Sequence, residues 1–230
     1  MATRTDLKPI RLWGKGGPNP PKVEIIMLEL GIPHEITPVP YSDVKNPEFT
    51  AINPNGRLPA IHDPNTGLTL WESGAIVEYI IETYDKDHKL SFPAGTPEVW
   101  HARQWLFFQT TGQGPYFGQA AWFALAHPEK LPSALKRFTD EVRRVSGVLD
   151  AWLSKQRKEY SDDLGDGPWL VGNRISYADI SFLPWQLFVP ATLGDLYSDE
   201  DFPELRAWMD KMKARPTVAP LVPSITKMGG

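Results

Sequence analysis

The stretch from Asn53 to Tyr84 constrains the fold most. Leu58-Pro-Ala-Ile-His62 and Leu68-Thr-Leu-Trp71 have the make-up of two short strands, and Asp63-Pro-Asn-Thr-Gly67 between them consists of turn residues, so the pair is predicted to form a hairpin. Ile76, Val77, Ile80, Ile81 and Tyr84 then share one face of a helix that opens at Glu72-Ser73. Upstream, Ile10 to Trp13 alternates apolar and polar as a strand does. A glycine-rich loop from Gly14 to Pro18 leads to Asn19-Pro20-Pro21, a preferred cap followed by first-turn prolines, and Val23, Ile26, Met27 and Leu30 fall on one helical face. Gly31 and Pro33 stop that helix, and His34 to Val39 is predicted to be a second strand. A β-α-β unit of this kind pairs its strands in parallel with a right-handed crossover. The order is therefore β-α-β, a looser segment from Pro40 to Asn55, then β-β-α.

From Asp85 to Pro97 the chain is polar, with two prolines and a glycine, as a linker is. Everything beyond it has helical periodicity. Val99 to Gln113 is predicted to be an aromatic-rich helix. Leu135, Phe138, Val142, Val145, Leu149 and Trp152 recur at steps of three and four along a long helix, about residues 133–160. Ser176-x-x-Asp179 precedes Ile180, Phe182 and Leu183, which is the signature of a capping box ahead of an apolar helix. Pro203 to Ala214 is predicted to be a last amphipathic helix. The organisation expected is residues 1–85, a linker at 86–97 and an all-helical part at 98–230. Tryptophan crowds into the second part, with only Trp13 and Trp71 in the first, which suggests two separate cores.

Composition narrows the chemistry. With no cysteine in 230 residues, disulfides, thiolate metal sites and a protein thiol nucleophile are excluded, so any thiol chemistry must use a thiol carried by the ligand. The five histidines have no metal-ligand spacing. The net charge of −4, without a basic stripe, speaks against nucleic acid as partner. No stretch has the length of a membrane span or of a signal-peptide core, and a cytoplasmic protein is expected.

The β-α-β, β-β-α order followed by helices is the thioredoxin-like arrangement with a helical domain appended. Arg57-Leu58-Pro59, Glu72-Ser73 and Ser176-x-x-Asp179 resemble three hallmarks of the glutathione transferases, in the family's order. Gly17-Pro-Asn-Pro-Pro-Lys22, Asn53-Pro-Asn-Gly-Arg57, Leu106-Phe-Phe-Gln-Thr110 and Thr139-Asp-Glu-Val-Arg-Arg144 resemble the fungal branch related to the yeast nitrogen-catabolite regulator and its bacterial disulfide-reductase relatives. The regulator's Asn-rich extension and its helical-domain insertion are both missing. Where members of that branch often carry Gln or His, this chain has Val44, so Lys45 is expected to meet the glycine carboxylate of glutathione.

The resemblance implies a role for each of these positions. Leu58, ahead of a cis Pro59, would clamp the cysteinyl backbone of glutathione. Glu72 would pair with its ammonium, and Ser73 at a helix N-terminus would hold the γ-glutamyl carboxylate, with Arg57 nearby. Each also has a plain structural role: a trans proline at a strand start, or an N-cap. Asn19 is the candidate activator of the thiol, whose pKa near 8.5 leaves little thiolate at pH 7. An amide donor backed by a helix N-terminus that lowered this by two units would contribute about 2.7 kcal/mol. The competing role for Asn19 is that of a helix cap. Gln113, Tyr116, Phe117, Gln119, Trp122 and Phe123 would form the electrophile pocket, or ordinary helical core. Ser176 and Asp179 are assigned to structure. Implied overall is a glutathione transferase acting on an apolar electrophile or a disulfide, with glutathione as co-substrate and no metal. The alternative is a non-catalytic carrier or regulatory protein. A homodimer is expected, with Trp100, Arg103 and Phe107, and Tyr79 or Glu82, near its seam.

Overall fold

The computed structural model describes residues 6–161 and 165–226, so the outermost parts of the expected domains, 1–5 and 227–230, lie outside it. The first half forms a four-stranded sheet of β1 (Ile10–Trp13), β2 (His34–Thr37), β3 (Ala60–Asp63) and β4 (Leu68–Trp71), in the order β2-β1-β3-β4. β1 pairs in parallel with β2, while β3 runs antiparallel to both β1 and β4. Ile10 and Leu12 are fully buried and Arg11 between them is exposed, as the alternation requires. α1 (Pro20–Leu30) makes the crossover. It ends where Gly31 adopts φ 67°, so that the Gly31 and Ile32 N–H groups can return to Leu28 and Met27. A single turn, α2 (Pro47–Thr50), lies in the looser segment, and α3 (Ser73–Tyr84) follows the hairpin. β2 stops two residues short of the expected Val39, and β3 starts two residues late because Leu58-Pro59 stands off the ladder.

The second half is helical: α4 (Pro97–Phe108), α5 (Gly114–Leu125), α6 (Pro132–Glu159), α7 (Tyr177–Leu193), α8 (Pro203–Lys213) and the short α9 (Val222–Ile225). The helix expected over Val99–Gln113 is in fact α4 followed by a π turn, Gln109–Gln113, that runs directly into α5. Val142, Val145 and Leu149 of the α6 stripe are fully buried. α7 is buried almost all round and packs on α1, α4, α5 and α8. The two cores suggested by tryptophan usage are not separate. Among the described residues one apolar cluster runs from Ile10 in β1 to Ile225 in α9, and Val44, Phe49 and Ala60 form a small satellite.

Polar ties join the halves. Glu29, buried on α1, accepts from Arg215 at 2.8 and 2.9 Å and from Thr217. Burial pushes its carboxyl up, but these bonds and the Arg215 charge outweigh that and hold it low. Arg103 of α4 reaches Glu78 and Glu82 of α3 at 3.1 and 2.7 Å. At the head of α7 the capping box forms as expected: the Ser176 N–H and hydroxyl both donate to Asp179 Oδ2 at 2.9 Å. Asp179 Oδ1 also accepts from the Leu170 N–H at 2.9 Å and the Trp208 indole at 3.1 Å. Removing a buried hub of this kind strands several donors at once. We predict that Asp179→Ala lowers stability by about 3–5 kcal/mol in urea unfolding. A loss under about 1 kcal/mol would show that Asp179 is not the hub.

Candidate functional site

Between the sheet half and the helical half lies a cleft of about 790 Å³, open to solvent. The first wall comes from the loop that starts α1. Asn19 occupies the N-cap position, but its side chain makes no capping bond. Its Oδ1 instead accepts from the Trp185 indole N–H of α7, at 3.1 Å. An indole N–H can only donate, so the amide atom facing it is the oxygen. Asn19 lines the cleft, and with its oxygen taken the N–H₂ is the group left to donate there. The helix-cap alternative for Asn19 is thereby set aside.

The second wall is the turn ahead of β3. Asn53 shapes it: its Nδ2 donates to the Arg57 carbonyl at 2.6 Å and its Oδ1 accepts from the Asn55 N–H at 2.9 Å. Lys45 Nζ closes over this turn onto the Asn55 carbonyl at 2.7 Å. Gly56 makes that approach possible. It has φ 58°, and a Cβ there would lie 2.6 Å from the Val44 carbonyl and 2.8 Å from Lys45 Cδ. Val44 packs against Phe49 and Ala60, so it is committed to packing while Lys45 and Arg57 bring charge to the rim. The Leu58-Pro59 bond is cis. The β1–β3 ladder ends at Trp13–Ala60, which places the Leu58 peptide past the paired strands, at the cleft.

The third wall is the β4–α3 corner. Glu72 has φ 71° and ψ 112°, a sparsely populated conformation that costs a non-glycine residue about 1–3 kcal/mol and is tolerated mainly where a site needs it. It aims the first turn of α3 and Ser73 into the cleft, where Glu72 itself is exposed and Asn55 Nδ2 lies 3.4 Å from its Oε1. Beneath Ser73 sits Lys22, the last residue of the Gly17–Lys22 motif and one for which the sequence implies no role. It is 1% exposed, and its Nζ donates to Ser73 Oγ at 2.9 Å and to Gln109 Oε1 at 2.6 Å. Burial lowers its pKa to about 7, with Glu72 working in the opposite direction. A signal existed: Lys22 and Glu29 lie seven residues apart, on the side of α1 that carries Ile25 and Ile26, so both were placed to be buried.

The helical wall differs from expectation. Of the residues expected there, Gln119 and Trp122 line the cleft, in company with Pro115 and Gly118 on the same face of α5. Tyr116 and Phe123 face α6 instead, against Phe138, and Phe117 is fully buried against Trp185. Gln113 is also fully buried, accepting from Gln109 Nε2 at 3.0 Å and donating to the Phe182 carbonyl at 3.2 Å. A contiguous stretch of helix cannot all face one way, and the 3.6-residue period divides it. Thr110, Trp185 and Phe188 complete the wall; Thr110 ends the Leu106–Thr110 motif without an expected role, and nothing local in the sequence marks Trp185 or Phe188. Among the described residues there is no His, Cys, Asp or Glu group that could hold a metal, and no helix is long and apolar enough to cross a membrane.

A cis-proline turn, an acid-serine corner and a polar loop thus stand opposite a helical wall. The glutathione S-transferase N-terminal domain model matches residues 17–83, and the C-terminal domain model matches 115–216. The chain belongs to the glutathione S-transferase family. Within that family it is of the Ure2-like class. It is 57% identical to the glutathione S-transferase-like protein tpcF of Aspergillus fumigatus, over 93% of this chain and 94% of that one. The glutathione transferase URE2P6 of Phanerochaete chrysosporium, solved with oxidized glutathione, is 42% identical with a TM-score of 0.83, covering 95% of this chain and 96% of its own. Ure2p in complex with glutathione is 35% identical with a TM-score of 0.86, covering 94% and 98%. Ure2p has also been solved with S-p-nitrobenzylglutathione. The transferase fold expected from sequence, a thioredoxin-like half with a mixed four-stranded sheet and an all-helical half, is thus the fold of this family member.

Lys22 makes the stability of this transferase-family chain depend on pH. The unfolded chain keeps a lysine proton to about pH 10.4, the folded chain only to about 7. Between those values the unfolded state binds more protons, so stability rises with pH. Relative to Lys22→Met, wild-type stability should rise by about 1.4 kcal/mol per pH unit from pH 7.5 to 9.5, measured by urea unfolding. Parallel profiles would mean that Lys22 titrates as an exposed lysine does.

Proposed function

We propose that this protein binds glutathione in the cleft and activates its thiolate for attack on an apolar electrophile. The observation that carries this is the Asn19–Trp185 bond, which reserves the Asn19 amide N–H₂ as a donor in the cleft. The partial positive charge at the N-terminus of α1 lies behind it. In this assignment Leu58 clamps the cysteinyl backbone, Ser73 and Glu72 take the carboxylate and ammonium of the γ-glutamyl end, and Lys45 and Arg57 take the glycine carboxylate. Charge matching supports it. The cleft offers the cations Lys22, Lys45 and Arg57 against the single acid Glu72, which suits a ligand with two carboxylates, one ammonium and a developing thiolate.

The electrophile would sit beyond the sulfur, against Trp122, Phe188 and Pro115. Binding of an S-p-nitrobenzyl conjugate by Ure2p supports an aromatic partner there. A disulfide is the second candidate, because Thr110 and Gln119 add polar groups to the same wall and URE2P6 binds oxidized glutathione. With no cysteine in the chain, that reduction would proceed through two glutathione molecules. Parallel assays with an activated aryl halide and with hydroxyethyl disulfide separate the two. Silence in both, with glutathione binding retained, would favour the carrier role.

Asn19→Ala should lower turnover about a hundredfold while changing the glutathione Kd less than threefold, and should raise the pKa of the bound thiol, read from thiolate absorbance. Unchanged turnover would end the activator assignment.

We further propose a homodimer through α3 and α4. Trp100 and Phe107 are 66% and 59% exposed on α4, and Arg103 lies over the Trp100 ring. Glu82 lies at the edge of this face, whereas Tyr79 is turned toward its own sheet by hydrogen bonds to Asp63 and Thr66. Light scattering at micromolar concentration should give twice the chain mass, and Phe107→Arg should give one. A wild-type monomer would remove the dimer.

A further inference from the structure

Lys22 is the buried charged group of the cleft that the proposed function counts in the charge balance but assigns to no part of the ligand. Its position does more than fill space. Ser73 Oγ accepts from Lys22 Nζ at 2.9 Å, and an oxygen that accepts from an ammonium keeps its own proton to give away. The lysine therefore fixes the serine hydroxyl as a donor directed at the cleft. The second acceptor, Gln109 Oε1 at 2.6 Å, is itself set by a directed chain: Gln109 Nε2 donates to Gln113, whose Nε2 donates to the Phe182 carbonyl. That chain passes through the π turn, an element frequent at functional sites. Lys22 is thus gripped by α3 on one side and by the helical half on the other.

We propose that Lys22 is a positioning residue for the γ-glutamyl carboxylate of glutathione: it holds the Ser73 hydroxyl as donor and supplies the buried positive charge that the carboxylate neutralises. The inference rests on glutathione occupying the cleft. No covalent step is involved. The carboxylate docks at the first turn of α3, and the ammonium beneath Ser73 gains a counter-charge in a place of low dielectric.

The charge state of Lys22 is poised for this. Burial holds its pKa near 7 in the free protein, and an arriving anion favours the charged form. The charges facing Lys22 are few. Glu72 at the head of α3 favours the ammonium, while Glu78 and Glu82 of α3 are engaged with Arg103. The π turn presents only the neutral Gln109 and Gln113, and Asp179 in the first turn of α7 is satisfied by Leu170, Ser176 and Trp208. Lys45 and Arg57 stand at the rim of the same cleft. Above pH 7, binding must therefore bring a proton to Lys22. Affinity should fall with rising pH as that proton becomes harder to acquire.

The test uses S-methylglutathione, which has no ionisable thiol, titrated calorimetrically into the wild-type protein in two buffers of different ionisation enthalpy from pH 6 to 8.5. Wild type should take up close to one proton per ligand at pH 8 and almost none at pH 6, with affinity falling up to tenfold per pH unit above 7. Lys22→Met should bind at least tenfold more weakly at pH 6.5, and its proton uptake at pH 8 should fall to the small fraction due to the ligand ammonium; uptake equal to wild type would overturn the inference. The S-methylated 4-aminobutyryl analogue, which lacks the γ-glutamyl carboxylate, decides the matter even if Lys22→Met does not fold. It should bind wild type without proton uptake. Wild-type binding of S-methylglutathione without uptake, or equal uptake with the analogue, would overturn the inference and leave the glutathione site standing. Failure of wild type to bind S-methylglutathione at all would overturn the glutathione site itself, and this inference with it.

Discussion

The site depends on how one helix, α1, is held between two halves of the chain. At its start, Asn19 is fixed by Trp185 of α7. One turn later Lys22 is shared between Ser73 of α3 and Gln109 of the π turn. At its end Glu29 is gripped by Arg215 and Thr217. All three are polar contacts at a seam that is otherwise apolar, and buried polar groups fix geometry because each has few ways to be satisfied. Hydrophobic packing alone would bind the halves while tolerating small slips. These contacts are directional, so α1 can occupy one position relative to the helical wall.

The parts of the site that were legible in the sequence are those made by local chemistry. The Arg57-Leu58-Pro59 turn, the Glu72-Ser73 corner and the Ser176–Asp179 box are each built from residues close together in the chain and each stands where the sequence placed it, although Lys22 and Trp208 add bonds to Ser73 and Asp179 from far along the chain. The β1–β2 and β3–β4 pairings followed from the crossover and the hairpin, whereas the β1–β3 pairing that joins them has no local signal. The parts that were not legible are made across the chain. Asn19 and Trp185 are 166 residues apart, and no spacing rule connects them. The side of α1 that Lys22 shares with Glu29 marked it for burial, but its partners Ser73 and Gln109 are 51 and 87 residues away, and no spacing rule names them. The helical wall is legible only in part, for a different reason: of the six residues that could be pocket or core, Gln113 belongs to the buried chain, Phe117 to the core and Tyr116 and Phe123 to the α6 contact, with Gln119 and Trp122 in the cleft. Within α5 the 3.6-residue period turns these side chains to different sides, so residues close in sequence do not share the cleft.

Binding and chemistry have different structural sources here. The groups that would hold the ligand's ends, Lys45, Arg57, Glu72 and Ser73, all come from the sheet half. The groups that fix the donor and charge states in the cleft come from the helical half: Trp185 sets the orientation of the Asn19 amide, and Gln109 sets the second bond of Lys22. A free asparagine could present either its oxygen or its N–H₂ to a sulfur, and only one of these stabilises an anion. A donor-only indole removes the wrong choice before any ligand arrives, which is what preorganisation requires. The sheet half contains every residue proposed to hold the ends of glutathione, yet lacks the means to keep the asparagine amide turned the useful way. The helical half therefore does more than wall off a second pocket. It is what would turn a peptide-binding cleft into one able to favour a thiolate.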